Sequence, residues 1–204
     1  MIEELLGEVG AVKFGEFTWK SGKQAPYYVD LRILPSFPEA FKIVASQMAE
    51  AVKKIPDYQS RRLVGVPLSG ISFATAVGLE LNMPVLFARK EAKGHGTKKL
   101  LEGIFKAGDR VILIEDVIST GVSSSETISK LKEGGLAVED IVAVLEHGIG
   151  GRENLHALGL RVHTLTNMTK IVKRLSSGGK VPKEKVKTVE EFVKAALTER
   201  NAKN

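Results

Sequence analysis

The sequence predicts an α/β fold built on a parallel sheet, and two observations carry this prediction. First, five short apolar runs rich in β-branched residues have the character of strands that are covered on both faces. These runs are residues 63–66, 85–88, 111–114, 141–145 and 161–165. Second, helical patterns lie between the runs, and strand–helix alternation at this spacing predicts parallel strands joined by right-handed crossovers.

The helical segments are predicted from apolar stripes and from capping patterns. Three Ser/Thr-x-x-Glu pairs have the spacing of a capping box, and we expect a helix to begin at each. The pairs are Ser36 with Glu39, Ser123 with Glu126, and Thr188 with Glu191. The first helix is expected to reach Val52, the second to end at Gly134-Gly135, and the third to cover 189–197. Residues 71–81 and 154–158 predict two further helices.

The length and composition predict a single domain over residues 1–204. A chain of 204 residues that is 43% hydrophobic is long enough to bury one substantial α/β core. The first 35 residues do not follow the strand–helix alternation, and we expect them to form a small cap, or hood, over the sheet. Residues 176–179, Ser-Ser-Gly-Gly, predict a linker, so residues 176–204 are expected to be a C-terminal linker and helix.

Composition excludes several classes of function. The chain has no cysteine, which excludes disulfides, thiolate nucleophiles and cysteine-ligated metals. The first residues are acidic and amphipathic, unlike a signal peptide. No apolar run approaches the ~20 residues that a membrane span needs. These observations predict a soluble, cytoplasmic protein.

The net charge of +6 is unevenly distributed. Residues 88–99 hold five Lys/Arg side chains against one Glu, and residues 173–204 hold nine against four. Basic segments of this kind suit an anionic ligand or nucleic acid. The alternative is a solvated surface, which we favour for the C-terminal segment.

Residues 111–121, VILIEDVISTG, carry the strongest functional pattern. An apolar strand runs directly into Glu115 and Asp116, and parallel sheets bind ligands beyond the carboxyl ends of their strands. The following loop, Ser119–Ser123, offers hydroxyls, a permissive glycine and the N–H groups of a helix start, which together suit a phosphate. Because the carboxylates would repel a bare phosphate, the ligand should carry hydroxyls or a divalent cation between them, as a ribose 5-phosphate does.

Three stretches together resemble a known family. EDVISTGVS at 115–123 resembles the phosphoribosyl-diphosphate signature of type I phosphoribosyltransferases. FTWKSGKQAPYYVDLR at 17–32 and RKEAKGH at 89–95 resemble the N-terminal motif and the mobile catalytic loop of orotate phosphoribosyltransferases. The resemblance spans roughly residues 10 to 165 and keeps the order of the motifs.

The resemblance implies an activity, a cofactor and partners. The activity is transfer of ribose 5-phosphate from phosphoribosyl diphosphate to orotate, which gives orotidine 5′-monophosphate and diphosphate in de novo pyrimidine (UMP) synthesis. The cofactor is Mg²⁺, held mainly through the diphosphate and not by direct protein ligands. A mobile loop that reaches the neighbouring subunit implies a homodimer with shared active sites. Neither a membrane nor a nucleic acid is implied as a partner.

The resemblance also assigns roles to particular residues. Lys93 and His95 match catalytic positions, and either could pass a proton to the leaving oxygen. The positions that match contacts to phosphoribosyl diphosphate are Lys20, Leu68, Ser69, Gly70, Arg89, Lys90, Lys93, His95, Glu115, Asp116, Val117, Ile118, Ser119, Thr120, Gly121, Val122 and Ser123. The positions expected at orotate are Tyr27, Tyr28, Ser119, His147 and Arg152.

The chain departs from the family pattern after the strand at 141–145. Glu146 and His147 stand where the family has an Asp-Arg pair whose arginine holds the orotate carboxylate. His147 lacks the planar bidentate fork of arginine. Arg152 could replace it if the glycine-rich turn at 148–151 folds back. The departure puts the base specificity in doubt, and not the phosphoribosyl chemistry.

Two alternatives to an orotate enzyme therefore stay open. One is a phosphoribosyltransferase for another base. The other is a non-catalytic, nucleotide-sensing regulator that binds nucleic acid through the basic C-terminal segment. The intact Arg-Lys/Lys/His loop argues against the regulator, because a sensor has no departing diphosphate to stabilise.

Overall fold

The computed structural model describes residues 1–19, 22–89 and 100–202. In these ranges eight strands form one six-stranded and one two-stranded sheet. The strands are β1 (Val12–Thr18), β2 (Gln24–Val29), β3 (Arg62–Gly65), β4 (Val85–Ala88), β5 (Leu101–Glu102), β6 (Arg110–Ile118), β7 (Ala137–Glu146) and β8 (Arg161–Asn167). The α-helices are α1 (Ile2–Glu8), α2 (Pro38–Lys53), α3 (Ser69–Leu81), α4 (Val122–Glu133), α5 (Gly151–Ala157), α6 (Met168–Ser177) and α7 (Lys183–Asn201).

The six-stranded sheet has the strand order β5-β4-β3-β6-β7-β8. Its five long strands are parallel, and the short β5 pairs antiparallel with β4. This confirms the predicted α/β class and all five predicted strands. The strand β6 is longer than predicted, because its pairing with β7 continues to Ile118. Glu115 and Asp116 therefore lie inside the strand, near its carboxyl end.

The central strand β6 is buried on both faces, which explains its unbroken apolar run. Ile112 and Ile114 belong to one hydrophobic core, which also contains buried side chains of α1, α2, α3 and α6. Val111 and Leu113 belong to the other, which contains Ile128 and Leu131 of α4 and Leu155 of α5. Successive strand side chains alternate between faces, so helices on both sides require an apolar residue at every position.

The first 35 residues form α1, the antiparallel pair β1–β2 and a 3-10 helix at Leu31–Ser36. The two-stranded sheet is separate from the main sheet. The helix α1 is not separate, since Leu6 is fully buried in the same core as α6. The hairpin that β1 and β2 form was not predicted from the sequence.

The three predicted capping boxes are wrong. The helix α2 begins at Pro38, because proline suits the first helical turn, and Ser36 ends the preceding 3-10 helix. The helix α7 begins at Lys183, so Thr188 lies inside it and its hydroxyl donates to the Glu184 carbonyl (3.0 Å).

The helix α4 also lacks the predicted cap. It begins at Val122, and the residue before it is Gly121 in a left-handed conformation (φ 81°). Glycine adopts this conformation without steric cost. Ser123 therefore lies in the first turn, where its carbonyl accepts a hydrogen bond from Thr127 Oγ1 (3.0 Å).

Two helices were not predicted, α1 and α6. Asn167 caps α6, accepting a hydrogen bond from the Lys170 amide (2.9 Å) on its side-chain oxygen. Met168, Ile171, Val172 and Leu175 form its buried stripe. The predicted linker at 176–179 is correspondingly shorter, because Ser176 and Ser177 belong to α6.

A buried ionic network joins the amino-terminal region of the sheet. Asp140 is fully buried and receives hydrogen bonds from Arg61 (2.6 Å), Arg161 (2.6 and 2.9 Å) and His163 (2.9 Å). Burial alone would raise the pKa of Asp140, but these donors outweigh it and hold the pKa below its ordinary value. The network lies toward the amino ends of β3 and β8 and is structural.

None of the helices in the described ranges combines the length and apolar character that crossing a bilayer requires.

Candidate active site

Three loops meet at the carboxyl edge of the sheet, after β3, β6 and β7. The Val66 amide donates to the Ile114 carbonyl (2.9 Å), and the His147 amide donates to the Ile118 carbonyl (2.9 Å). Two glycines allow closer packing. A Cβ at Gly70 would collide with the Ile114 carbonyl, and a Cβ at Gly151 with the Ser119 carbonyl. Backbone contacts thus fix the three loops against β6.

The loop after β6 encloses a small cavity of about 80 Å³. It is lined by Glu115, Val117, Ile118, Ser119, Thr120, Gly121, Val122, Ser123 and Ser124. The first helical hydrogen bond of α4 runs from the Ser125 amide to the Gly121 carbonyl (2.9 Å), so the earlier amides of the turn face the loop. Amides and helix dipole together favour an anion here. The structure therefore gathers the hydroxyls, the glycine and the helix start of this loop around one small cavity, and phosphate binding there stays a prediction.

Glu115 and Asp116 form a coupled pair beside this cavity. Glu115 is 5% exposed and accepts hydrogen bonds from Ser124 Oγ (3.1 Å) and the Asp116 amide (3.3 Å). Burial, and then repulsion from the Asp116 carboxylate, raise the pKa of Glu115 well above its ordinary value. A ligand that donates hydroxyls or brings a cation would relieve this repulsion.

A second, larger cavity of about 720 Å³ adjoins the phosphate loop. The two cavities share Ser119 and Thr120. The other residues that line the larger one are Thr18, Trp19, Lys23, Tyr28, Val29, His147, Ile149, Asn154, Ala196, Glu199 and Arg200. Because aromatic rings and polar groups from the cap, the sheet edge and α7 converge on it, the cavity suits a planar polar ring. We call it the base cavity.

Tyr27 and Tyr28 differ in their surroundings. Tyr28 lines the base cavity, and its hydroxyl accepts a hydrogen bond from Arg32 (3.1 Å). Tyr27 is fully buried in the main core behind His147. Its hydroxyl lies 3.1 Å from His147 Nδ1, and the two rings stack at 5.4 Å. Tyr27 therefore acts on the cavity by orienting His147.

His147 lines the base cavity but carries no charge at neutral pH. Its side chain packs between Tyr27 and Trp19, whose ring centroid is 5.1 Å away. Burial lowers the pKa of His147 to about 4. As a neutral ring it can exchange a hydrogen bond with a substrate, but it cannot supply the positive charge of an arginine.

Arg152 is directed away from the base cavity. Its guanidinium donates to Glu146 (2.7 Å), to the Val162 carbonyl (2.7 Å) and to Thr164 Oγ1 (3.0 Å). These contacts pin Arg152 between β7 and β8. Arg152 therefore does not line the base cavity, although it lines a separate cavity together with His147.

The loop after β3 presents a second helix start at the same edge. Leu68 is exposed, Ser69 opens α3, and Gly70 packs against β6. The peptide between Pro67 and Leu68 is cis. The Ser69 hydroxyl oxygen is buried and makes no hydrogen bond within the described part of the chain. Helix-start amides and a polar side chain fit the diphosphate contacts expected here.

Arg89 is the one residue of the predicted mobile loop that the structure describes. Its side chain pairs with Glu102 (2.6 Å), and its carbonyl accepts a hydrogen bond from Lys130 Nζ (2.9 Å). Lys20, Lys90, Lys93 and His95, all expected in the site, lie outside the described residues.

The acidic side chains fit a magnesium ion that the substrate itself helps to hold. Within the described ranges, His, Asp and Glu side chains form no group of three or more that could ligate a metal. A Mg²⁺ ion commonly binds through one or two carboxylates together with substrate phosphates. Glu115 lines the small cavity, so it and the adjacent Asp116 would face an ion that the substrate phosphates hold, which agrees with magnesium bound mainly through the diphosphate.

Comparison with known proteins agrees with this geometry. Residues 34–175 match the phosphoribosyl transferase domain. The chain is 37% identical over 169 residues to an orotate phosphoribosyltransferase of Methanocella arvoryzae, covering 83% of this chain and 94% of the relative. The chain belongs to the orotate phosphoribosyltransferase family.

The solved structure of an orotate phosphoribosyltransferase from Aeropyrum pernix shares the fold of this family member. The TM-score is 0.75 at 26% identity, over 86% of this chain and 99% of the other. A bifunctional PyrF/PyrE enzyme of a Nostoc species is 37% identical over 88% of this chain. The chain spans only 37% of that relative's length.

The orotate phosphoribosyltransferase motifs did not reveal every residue of the base cavity. Trp19 and Lys23 stand within the N-terminal motif but received no role. Asn154, Glu199 and Arg200 were not singled out. The sequence holds no signal for Arg200, because its place depends on how α7 packs across the cap.

Proposed function

We propose that this protein is an orotate phosphoribosyltransferase. It transfers ribose 5-phosphate from phosphoribosyl diphosphate to orotate, giving orotidine 5′-monophosphate and diphosphate in pyrimidine synthesis. We propose further that residues 1–204 act as one phosphoribosyltransferase domain, with residues 1–35 as the cap and residues 176–204 as the C-terminal extension.

One observation carries the proposal: the phosphate cavity and the base cavity adjoin and share Ser119 and Thr120. A nucleoside monophosphate has the same layout, with a phosphate, a sugar and a planar base in sequence. Glu115 lines the phosphate cavity, and we propose that it and the adjacent Asp116 accept hydrogen bonds from the sugar hydroxyls.

Each part of the proposed site binds one part of the substrates. The Ser119–Ser123 loop binds the 5′-phosphate through amides and hydroxyls, and Glu115 and Asp116 accept from the ribose hydroxyls. The base cavity holds orotate with its ring nitrogen toward the anomeric carbon. When that nitrogen bonds to the anomeric carbon, the carbon–oxygen bond to diphosphate breaks, its electron pair leaves with the diphosphate, and the proton of the ring N–H is released.

The leaving diphosphate needs positive charge. The start of α3 at Leu68–Gly70 offers amides to it. Magnesium, when bound, supplies further charge to the diphosphate. Arg89, Lys90, Lys93 and His95 are proposed to close over the site, excluding water and stabilising the departing group. The proposal includes a homodimer in the cytoplasm, with this loop contributed across the subunit boundary.

One observation favours a second candidate, a phosphoribosyltransferase for another base. His147 is buried and neutral, and Arg152 is held elsewhere. The end of β7 therefore offers no cation to a carboxylate on the base. A cation from another element must do so if orotate is the substrate.

An assay with phosphoribosyl diphosphate and magnesium separates these candidates. We expect the purified protein to convert orotate to orotidine 5′-monophosphate, measured chromatographically, and to turn over purines and uracil far more slowly. Asp116→Asn should lower the rate with orotate by about two orders of magnitude or more, because an oriented charge is lost. Glu126→Gln, which makes the same charge change on the exposed face of α4, is the matched control.

Turnover of a purine but not of orotate would reject the orotate assignment in favour of the second candidate. Ligand binding without turnover of any base would instead favour the nucleotide-sensing regulator. Such a regulator should also bind RNA or DNA with an affinity that falls steeply as salt rises.

A further inference from the structure

The C-terminal helix α7 forms one wall of the base cavity. Ala196, Glu199 and Arg200 line the cavity together with cap residues. The helix is seated by Phe192, whose ring packs 5.4 Å from the Trp19 ring and 5.7 Å from the Tyr27 ring. Phe192 thus ties α7 to the aromatic residues around the cavity, although the last turn of this helix is more than 50 residues from β7 in sequence.

Two of the residues lining the base cavity in the described ranges are lysine or arginine: Lys23 and Arg200. Lys23 forms an ion pair with Glu199 (2.7 Å), so these two charges offset each other. Together the three side chains leave one net positive charge at this end of the cavity. His147 adds none, since burial keeps it neutral.

The guanidinium of Arg200 is fixed to the phosphate loop through one residue. Its Nε and Nη2 donate to Asn154 Oδ1 (3.0 and 2.9 Å), and Asn154 Nδ2 donates to the Thr120 carbonyl (3.0 Å). These bonds hold the Nε–Nη2 edge of the guanidinium against Asn154. A guanidinium braced in this way loses less side-chain entropy when it binds a substrate.

Gly150 leaves room for the aliphatic part of the Arg200 side chain. A Cβ at Gly150 would collide with Arg200 Cδ. Gly150 has φ of 104°, a conformation that disfavours any other residue. The turn after β7 therefore leaves a groove across which the Arg200 side chain passes to reach Asn154.

We propose that Arg200 is a specificity-determining residue that binds the carboxylate of the base. It performs, from α7, the role for which the resemblance expects an arginine at position 147. A guanidinium suits the task because it binds a carboxylate with two parallel hydrogen bonds. The inference rests on the proposed function, and it answers the question raised by the neutral His147.

The test compares two nucleotides that differ only in this carboxylate, orotidine 5′-monophosphate and uridine 5′-monophosphate. Their binding to the full-length protein is measured by calorimetry for the wild type, Arg200→Gln and Arg200→Lys. We expect Arg200→Gln to weaken orotidine 5′-monophosphate binding about 10- to 100-fold, the effect of a lost charged hydrogen bond. Uridine 5′-monophosphate binding should change less than about 3-fold, because it lacks the carboxylate.

Steady-state kinetics give a second readout. Arg200→Gln should raise KM for orotate by a factor similar to the binding loss and leave KM for phosphoribosyl diphosphate nearly unchanged. Arg200→Lys should fall between the wild type and Arg200→Gln, because it keeps the charge and loses the fork. Lys187→Gln, which removes one charge from an exposed position on the same helix, is the matched control and should behave as the wild type.

Other outcomes overturn the inference. If Arg200→Gln weakens the binding of both nucleotides equally, or raises only the KM for phosphoribosyl diphosphate, Arg200 binds the phosphorylated part of the substrate and not the base. Unchanged orotate kinetics in Arg200→Gln would show that Arg200 does not bind the substrate. If the melting temperature of Arg200→Gln is far below that of the wild type, the test is made with Arg200→Lys instead. Lysine keeps an aliphatic side chain in the groove at Gly150. A wild type that does not turn over orotate would overturn the proposed function itself, whereas normal turnover with insensitive variants would overturn only this inference.

Discussion

At the scale of single residues, the site holds ionisable groups in unfavourable environments. Glu115 is a buried acid beside a second acid, and His147 is a buried imidazole among aromatic rings. Both are shifted toward their neutral forms, because burial penalises charge. The folded chain tolerates these costs where a ligand is expected to bind.

Glu115→Gln should stabilise the protein while lowering its activity. The pKa of Glu115 is raised in the folded state, so its contribution to stability is fully present below its unfolded pKa and is lost as pH rises through the folded pKa. Glutamine resembles the protonated acid, so we expect a gain of about 0.5–2 kcal/mol at pH 7 that disappears near pH 4. Urea unfolding between pH 4 and 8 measures it.

The exposed Glu126→Gln is the reference for that experiment and should show no such pH-dependent gain. A Glu115→Gln protein that is less stable at pH 7 would mean that the carboxylate is ionised and satisfied. Its rate with orotate should fall, since glutamine cannot accept from two sugar hydroxyls while its amide nitrogen faces them.

His147 should remain neutral well below the pH at which free histidine becomes charged. Its folded pKa of about 4 lies below the ordinary value of about 6.5. The stability that it contributes is therefore fully present above about pH 6.5 and is lost as pH falls toward 4. NMR of labelled imidazole, assigned with His147→Gln, should show a neutral ring at pH 5.5. A midpoint near 6.5 would contradict the burial that the structure shows.

At the scale of elements, helix starts at the sheet edge depend on glycines that permit close packing. Gly70 brings the first turn of α3 against the backbone of β6, and Gly121 opens α4 in a left-handed conformation. The two turns are the proposed anion-binding parts of the site. Their positions are therefore set by backbone contacts, and not by side-chain caps.

Gly70→Ala should damage both stability and diphosphate binding. Its Cβ would meet the Ile114 carbonyl, which cannot move without displacing β6. We expect a loss of about 2–4 kcal/mol in the free energy of unfolding and a rise in KM for phosphoribosyl diphosphate larger than that for orotate. Gly178→Ala is the control, because a Cβ there meets only ordinary contacts. A Gly70→Ala protein with unchanged KM values would separate α3 from substrate binding.

At the scale of the whole molecule, the buried ionic network and the proposed site occupy different regions of one sheet. The ionic network around Asp140 lies toward the amino ends of β3 and β8, and the two cavities lie at the carboxyl edge. The cap and α7 cover that edge together, through the contacts of Phe192 with Trp19 and Tyr27. The base cavity therefore exists only when residues from both ends of the chain meet.

Mixing two inactive variants tests whether subunits share their sites. Lys93→Ala should lower turnover much more than substrate affinity, and Asp116→Ala should be inactive alone. If the loop acts across the subunit boundary, a mixed dimer contains one intact site, so equal mixing should restore up to about one quarter of wild-type activity. No recovery, despite proven subunit exchange, would count against a shared site.

Much of the fold and the loop at the proposed phosphate site could be predicted from the sequence, because both depend on local patterns. Continuous β-branched runs predicted all five parallel strands, since helices on both faces demand apolar residues at every position. The pattern at 111–121 predicted a strand, an acidic pair and a turn into a helix, since these are adjacent in the chain. The helix starts were predicted wrongly, because Pro38 and the left-handed Gly121 took precedence over the Ser-x-x-Glu spacing.

The sequence by itself determined the sheet, the acidic pair and the loop that follows it, since each is encoded within a few consecutive residues. Only the tertiary structure decided which side chains line the base cavity. It placed Tyr27 behind His147, turned Arg152 toward β8 and brought Arg200 to the base cavity. The physical reason is that these positions follow from burial and from packing between distant segments, and no short pattern in the chain records them.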